Sequence, residues 1–99
     1  MTDSAEELER TNAVFTALAH RSRRQILLVL RFGGGKMTAG EIAERFSCTW
    51  PTTTRHLQVL ESAGLVTVER SGRERLYRLQ APLLLNVARN WLRWFEEGV

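Results

Sequence analysis

The segment between Thr38 and Gly64 carries the start and stop signals of two short helices separated by a tight turn. Thr38 and Glu41 have the spacing of a capping box, in which each side chain bonds a free backbone N–H of the first helical turn. Thr49 is placed to cap the second helix, with Pro51 in its first turn, and Gly64 ends it. The inward side chains of the first helix, predicted at 39–46, are Ile42, Ala43 and Phe46.

A β-hairpin is predicted directly after the second helix. Val66 and Val68 alternate with polar residues, and so do Tyr77 and Leu79, which is the pattern of half-buried strands. The turn between them, residues 71–74, contains a glycine suited to positive φ. Two helices joined by a tight turn and followed by a hairpin are typical of a winged helix-turn-helix.

Helical periodicity accounts for most of the remaining chain. Apolar spacing predicts helices at 5–19, 23–32 and 83–97, the second capped by Ser22 and ended by the glycines at 33–35. The predicted fold is mainly α with a small β-hairpin, in the order of four helices, a hairpin and a fifth helix (α-α-α-α-β-β-α). With 99 residues there is room for one hydrophobic core, so residues 1–99 are expected to form a single domain.

Charge is distributed unevenly along the chain. The net charge is only +3, but four acids precede Arg10, and from there 14 basic residues face seven acids. This asymmetry suits a polyanionic partner. The N-terminus is unlike a signal peptide, no apolar run is long enough to span a bilayer, and the single cysteine fits a reducing compartment, so a cytoplasmic location is expected. The sequence lacks paired carboxylates, a Gly-rich phosphate loop and a nucleophile–base arrangement, so an enzyme is not expected.

The second helix of the pair presents a polar outer face that bears no carboxylate. At 100° per residue, its inner side holds Thr53, Leu57 and Leu60, and its outer side holds Pro51, Thr54, Arg55, Gln58 and Ser62. Arg55 is suited to a guanine edge and Gln58 to adenine. The hydroxyls of Thr49 and Thr54 suit phosphate contacts near the helix N-terminus. On the hairpin, the candidates for phosphate or minor-groove contact are Arg73 and Arg75.

Four segments resemble the ArsR family of repressors. They read LAHRSRRQIL (18–27), TAGEIA (38–43), TTTRHLQVLESAGLV (52–66) and GRERLYRL (72–79), and the similarity extends over about residues 8–95. The resemblance implies a dimeric winged helix that binds double-stranded DNA and represses its own or a neighbouring operon. The family's DNA-reading positions fall on Trp50, Pro51, Thr54 and Arg55, where Trp50 replaces the small polar residue common in the family.

Metal sensing is not expected. Many members of the family carry a CVC sequence in the helix before the recognition helix, but the matching residues 41–44 contain no thiol. Other members use Asp and His on the final helix, which has neither here. Cys48, His20 and His56 are scattered in sequence, and a transition-metal site needs three or four such ligands. The chain therefore resembles the family's metal-free branch, the SdpR-like autorepressors, with no cofactor.

The final helix is apolar around too much of its circumference for one buried stripe, which favours a homodimer built from the first and last helices. The alternative is a second contact with its own domain. The residues predicted at the interface are Val14, Phe15, Leu18, Leu84, Val87, Ala88, Trp91, Trp94 and Phe95.

Other functions remain open from the sequence alone. One is a winged-helix module that contacts only proteins, and another is a metal-responsive repressor in which His20 or His56 meets its counterpart across the dimer. For His56, a packing or hydrogen-bonding role is expected rather than that of a pH switch. Cys48 is expected to be a small apolar residue of the turn between the two helices rather than a redox sensor.

Overall fold

The computed structural model describes residues 4–46 and 48–96. Its elements confirm the predicted order of four helices, a hairpin and a fifth helix, with one short strand added. They are α1 (Ser4–Leu18), α2 (Arg21–Phe32), β1 (Lys36–Thr38), α3 (Ala39–Phe46), α4 (Trp50–Ser62), β2 (Val66–Ser71), β3 (Glu74–Leu79) and α5 (Ala81–Glu96). The predicted last residue of the fifth helix, 97, lies outside the described residues.

The added strand turns the hairpin into a three-stranded antiparallel sheet with the order β1-β3-β2. Met37 lies opposite Tyr77, and both side chains are buried. The chain enters β1 through Gly34 and Gly35, which have φ of 94° and 87°, and the Gly35 N–H donates to the Leu30 carbonyl at 2.7 Å. Because β1 is only three residues long, its alternation is too short to be recognised in the sequence.

Capping residues fix where the helices begin. The capping box forms as predicted: the Thr38 N–H donates to Glu41 Oε1 at 2.9 Å, and the Glu41 N–H donates to Thr38 Oγ1 at 3.2 Å. These bonds lower the pKa of the Glu41 carboxyl. The prediction that Ser22 caps α2 is wrong. His20 is the cap, since its Nδ1 accepts from the Ser22 N–H at 3.2 Å and α2 begins at Arg21.

Two arginines of α2 hold the C-terminal end of α1. Arg23 donates from Nε to the Ala17 carbonyl at 2.7 Å and from Nη2 to the Thr16 carbonyl at 3.1 Å. Arg24 donates from Nη1 to the Leu18 carbonyl at 2.6 Å. The last carbonyls of a helix have no partner within it and carry partial negative charge, so these guanidinium groups satisfy them and fix the angle between the two helices.

All five helices and the sheet share one hydrophobic core. The inner side of α4 contributes Leu57 and Leu60, both with no exposed surface, and the prediction for this face is confirmed. The large, fully buried side chains of this hydrophobic core are Ile26, Leu30, Ile42, Leu57, Leu60 and Leu65. The core therefore holds α4 by its inner side and leaves its outer side to solvent.

His56 is a buried ionisable residue on α4. Its ring lies 4.6 Å from that of His20 and 6.4 Å from that of Phe46, between centroids. Within the described residues, its Nδ1 atom has no hydrogen-bond partner. Burial lowers the pKa of His56, and the positive charges of His20, Arg23 and Arg55 lower this pKa further.

The lowered pKa of His56 makes folding stability depend on pH. Between that pKa and the ordinary value of 6.5, the unfolded chain binds more protons than the folded chain, so the free energy of unfolding is expected to increase with pH. Urea unfolding from pH 5 to 8 is expected to show this slope in the wild type and a weaker one in His56→Leu. His20→Asn, which keeps a good N-cap residue but removes one of the charges that lower this pKa, should reduce the slope only in part, because burial is the larger cause. Equal slopes in wild type and His56→Leu would place the titrating group elsewhere.

Candidate nucleic-acid interface

The N-terminal end of α4 is exposed and free of acidic residues. Thr49 caps the helix: its Oγ1 accepts from the Thr52 N–H at 3.4 Å and donates to Thr52 Oγ1 at 2.9 Å. Thr49 therefore has a structural role beside the predicted phosphate contact. No acid occurs in the first turn, so the helix dipole and the free N–H groups favour an anion there. The predicted outer residues Pro51, Arg55, Gln58 and Ser62 are exposed, and Thr54 is half-buried.

The outer residues of α4 divide between two grooves. Arg55 and Gln58 border a groove shared with α1, which contributes the polar side chains of Glu9, Asn12 and Thr16. No ion pair joins Arg55 to an acid within the described chain, so its guanidinium is available to a ligand. Thr54 lies on the other side, toward the hairpin.

The second groove is a crevice of about 460 Å³ between α4, the N-terminus of α3 and the hairpin. Trp50 and Thr54 of α4 line one side, and Arg73 and Arg75 of the hairpin line the other. The structure thus brings these four predicted DNA contacts together. Glu74 also borders the crevice and is its one carboxylate among the described residues. Two guanidinium groups and a hydroxyl facing one cleft suit the negatively charged backbone of a nucleic acid.

The hairpin tip carries an unbalanced positive charge. Arg70 and Arg75 lie directly opposite each other in the β2–β3 register, an arrangement that is unfavourable without a counterion. Arg78 differs, because its Nη2 atom is 2.6 Å from Glu69 Oε1 in an ion pair. Gly72, with φ of 65°, allows the tight turn that exposes Arg73. The sequence indicates a positively charged hairpin that includes Arg70, but the position of Arg70 opposite Arg75 follows only from the register.

The fold brings together two of the three side chains considered as metal ligands. The rings of His20 and His56 are in contact at an angle of 55°, but His20 Nδ1 is already an acceptor from a backbone N–H. Within residues 4–46 and 48–96, no three His, Cys, Asp or Glu side chains form a group that would hold a metal ion. Cys48 is half-buried. The expectation of no metal stays a prediction.

A second exposed surface lies on α1 and α5, which pack against each other through an edge-to-face contact of Phe15 and Trp91, 6.2 Å between centroids. Although α1 has 15 residues and α5 has 16, their buried side chains are only Val14, Ala17 and Val87. Among the predicted interface residues, Val14 is completely buried and Val87 is 6% exposed, so both belong to the core of a single chain. Leu18, Leu84 and Ala88 are partly buried.

Three exposed apolar side chains of α5 and the partly buried Ala88 form a stripe along the helix. Leu85, Ala88, Leu92 and Phe95 follow one another at intervals of three, four and three residues, which places them on one helical face. Leu92 is 54% exposed and Phe95 61%. Sequence reasoning included Ala88 and Phe95 but missed Leu85 and Leu92, although their spacing was readable. Trp94 is exposed on another side of α5, beside Glu7 and Asn90.

A capped helix pair, an exposed N-terminus on its second helix and a basic hairpin beside it define a winged helix-turn-helix protein. A family model described as a helix-turn-helix domain matches residues 18–69. The transcriptional repressor SdpR of Bacillus subtilis is 38% identical over 81 residues, which cover 82% of this chain and 87% of SdpR. The chain belongs to the ArsR family of winged helix-turn-helix transcriptional regulators.

Other relatives and solved structures agree with this assignment. The HTH-type transcriptional repressor SmtB of Mycobacterium tuberculosis is 39% identical over 74 residues, 75% of this chain and 53% of SmtB. An ArsR-like regulator from Rhodococcus has a TM-score of 0.79 at 31% identity, covering 91% of this chain and 83% of its own. A homodimeric winged helix-turn-helix DNA-binding domain from Mycobacterium bovis has a TM-score of 0.74 at 29% identity, covering 100% and 92%. In the part of the chain that the structure describes, no helix has the length and apolar character needed to cross a membrane.

Proposed function

We propose that this protein binds a palindromic DNA operator as a homodimer and represses transcription of its own or a neighbouring operon in the cytoplasm, without a metal. The observation that carries the proposal is the crevice in which Trp50 and Thr54 of α4 face Arg73 and Arg75 of the hairpin. Relatives named as repressors, SdpR and SmtB, support repression as the outcome of binding.

In this proposal α4 lies in the major groove and the hairpin contacts the adjoining backbone. Arg55 is exposed and unpaired by any acid within the described residues, so it is suited to two parallel hydrogen bonds with guanine. Gln58, one turn further along the same groove, is suited to adenine. Phosphates bound at the hairpin tip would relieve the repulsion between Arg70 and Arg75. Base reading and backbone binding are thus assigned to different elements.

Arg55→Ala and Arg73→Ala are expected to weaken DNA binding in different ways. Arg55→Ala should cost about 1–3 kcal/mol per half-site and relax the preference at one base pair. Arg73→Ala should weaken binding to all sequences and reduce the slope of log K against log salt by about 1 per subunit. Mobility shifts on operator and scrambled duplexes at several salt concentrations measure both effects. Equal losses on every sequence for both variants would refute this division, and wild-type protein that shifts no DNA would favour a protein-interaction module.

The homodimer is proposed to form through α1 and the exposed stripe of α5. A stable interface covers about 800 Å² on each partner, and a two-fold axis would pair the stripe with itself. The stripe side chains Leu85, Leu92 and Phe95 are exposed within one chain, so they are free to meet a partner without disturbing the core. The homodimeric relative from Mycobacterium bovis supports this assembly.

The double variant Leu92→Ala/Phe95→Ala is expected to yield a folded monomer with strongly reduced operator affinity. Each substitution removes apolar surface on both sides of the two-fold axis, which at about 25 cal/mol per Å² amounts to several kcal/mol of association energy. Sedimentation and a palindromic DNA probe measure the two effects. Leu28→Ala/Phe32→Ala is the matched control, since these α2 side chains are equally apolar and are 57% and 80% exposed, but lie outside α1 and α5. A double variant that remains a dimer and binds the operator would move the interface elsewhere.

Operator binding is proposed to be independent of metals. Zinc, cadmium or arsenite, added at several equivalents to chelator-treated protein, is expected to leave the operator affinity unchanged. The neighbouring rings of His20 and His56 offer two imidazole ligands in one place, so His56→Leu serves as the comparison. Stoichiometric zinc binding by the wild type that releases DNA, and that His56→Leu abolishes, would overturn the metal-free proposal.

A further inference from the structure

Trp50 is a large, exposed apolar residue at the N-terminal end of α4. It is the first residue of the helix and is 57% exposed. It is followed by the small ring of Pro51, and the other outer residues Thr54, Arg55 and Gln58 carry hydroxyl, guanidinium or amide groups. In helix-turn-helix proteins, the first residues of the recognition helix contact base edges. The large apolar side chain of Trp50 therefore occupies a position from which base edges are contacted in such proteins.

The indole ring has a fixed support on one side. Its Cζ2 and Cη2 atoms lie 3.4 Å from the position that a Cβ atom on Gly40 would occupy, so the edge of the ring rests on the first turn of α3. Arg73 and Arg75 border the opposite side of the same crevice. Gly40 is thus a residue at which side-chain size decides whether the ring can keep this place.

The chemistry of the major groove limits what this ring can contact there. Base edges in that groove present hydrogen-bond acceptors, donors and one apolar group, the C5-methyl of thymine. A carbon edge placed over an acceptor or donor would leave that polar group without a partner, at a cost in free energy. The thymine methyl group is the base feature against which an indole edge gains by excluding water.

We propose that Trp50 determines operator specificity by packing against a thymine methyl group once in each half-site. This inference rests on the proposed function, because it requires α4 to lie in the major groove. The methyl group fills the exposed side of the ring while Gly40 supports its edge. Arg55 borders the groove shared with α1, whereas Trp50 lines the crevice beside the hairpin. The base contacts of the two residues can therefore be tested separately.

The test compares DNA containing thymine with DNA containing uracil, a base that lacks only the C5-methyl group. A duplex of preferred sequence is first selected from a random double-stranded library with wild-type protein, and each thymine is then replaced symmetrically in both half-sites. One replacement is expected to weaken wild-type binding about three- to fivefold per half-site, the effect of burying one methyl group. Trp50→Ala is expected to bind the thymine and uracil duplexes equally, whereas Arg55→Ala keeps the thymine preference.

Variants at Gly40 test the support of the ring without changing the ring itself. Gly40→Ala places a methyl group at ordinary contact distance and is expected to keep the thymine preference. Gly40→Leu fills the place of the indole edge and is expected to lose that preference, and thermal unfolding checks that both variants fold. A wild type that selects a sequence but shows no uracil effect, or a Trp50→Ala variant that retains the effect, overturns this inference alone. Failure to select any duplex overturns the proposed function as well.

Discussion

Burial of the inner face of α4 is the interaction on which the rest of the structure depends. Leu57 and Leu60 have no exposed surface, and α4 packs through this face against α1, α2, α3 and β2. Removing either side chain would leave a cavity at the point where these elements meet. Since the helix is held from one side only, its outer residues are free of packing demands, and their identity can be chosen for contact with another molecule.

Local chemistry made much of the fold predictable. The capping box at Thr38, the cap at Thr49 and the hairpin turn at Gly72 each depend on neighbouring residues, and all three appear as expected. One of the errors involves a contact between distant residues, and the other is local. Strand β1 exists because β3, about 40 residues further along the chain, pairs with it. The cap of α2 was assigned wrongly because Ser is a common capping residue, whereas here the extended His20 accepts from the Ser22 N–H through its ring.

The candidate sites show the same limit. A helical wheel identified the outer face of α4, but the division of that face between two grooves depends on where α1 and the hairpin lie. On α5 the wheel is apolar on several sides, and nothing in its periodicity distinguishes the side that its own domain covers. Val87 therefore seemed available to a partner and is buried, while Leu85 and Leu92 are exposed. In the same way, the repulsion between Arg70 and Arg75 follows from strand register alone.

The junction between α1 and α2 has a mechanical consequence. Only residues 19 and 20 separate the two helices, and Arg23 and Arg24 bind the last carbonyls of α1. These bonds and the short connection oppose rotation of α1 relative to the part of the chain that carries α4. In a dimer assembled through α1, this junction would therefore contribute to setting the separation and tilt of the two α4 helices. If the half-sites of an operator were spaced differently from the two α4 helices, the DNA itself would have to bend or twist for both to bind.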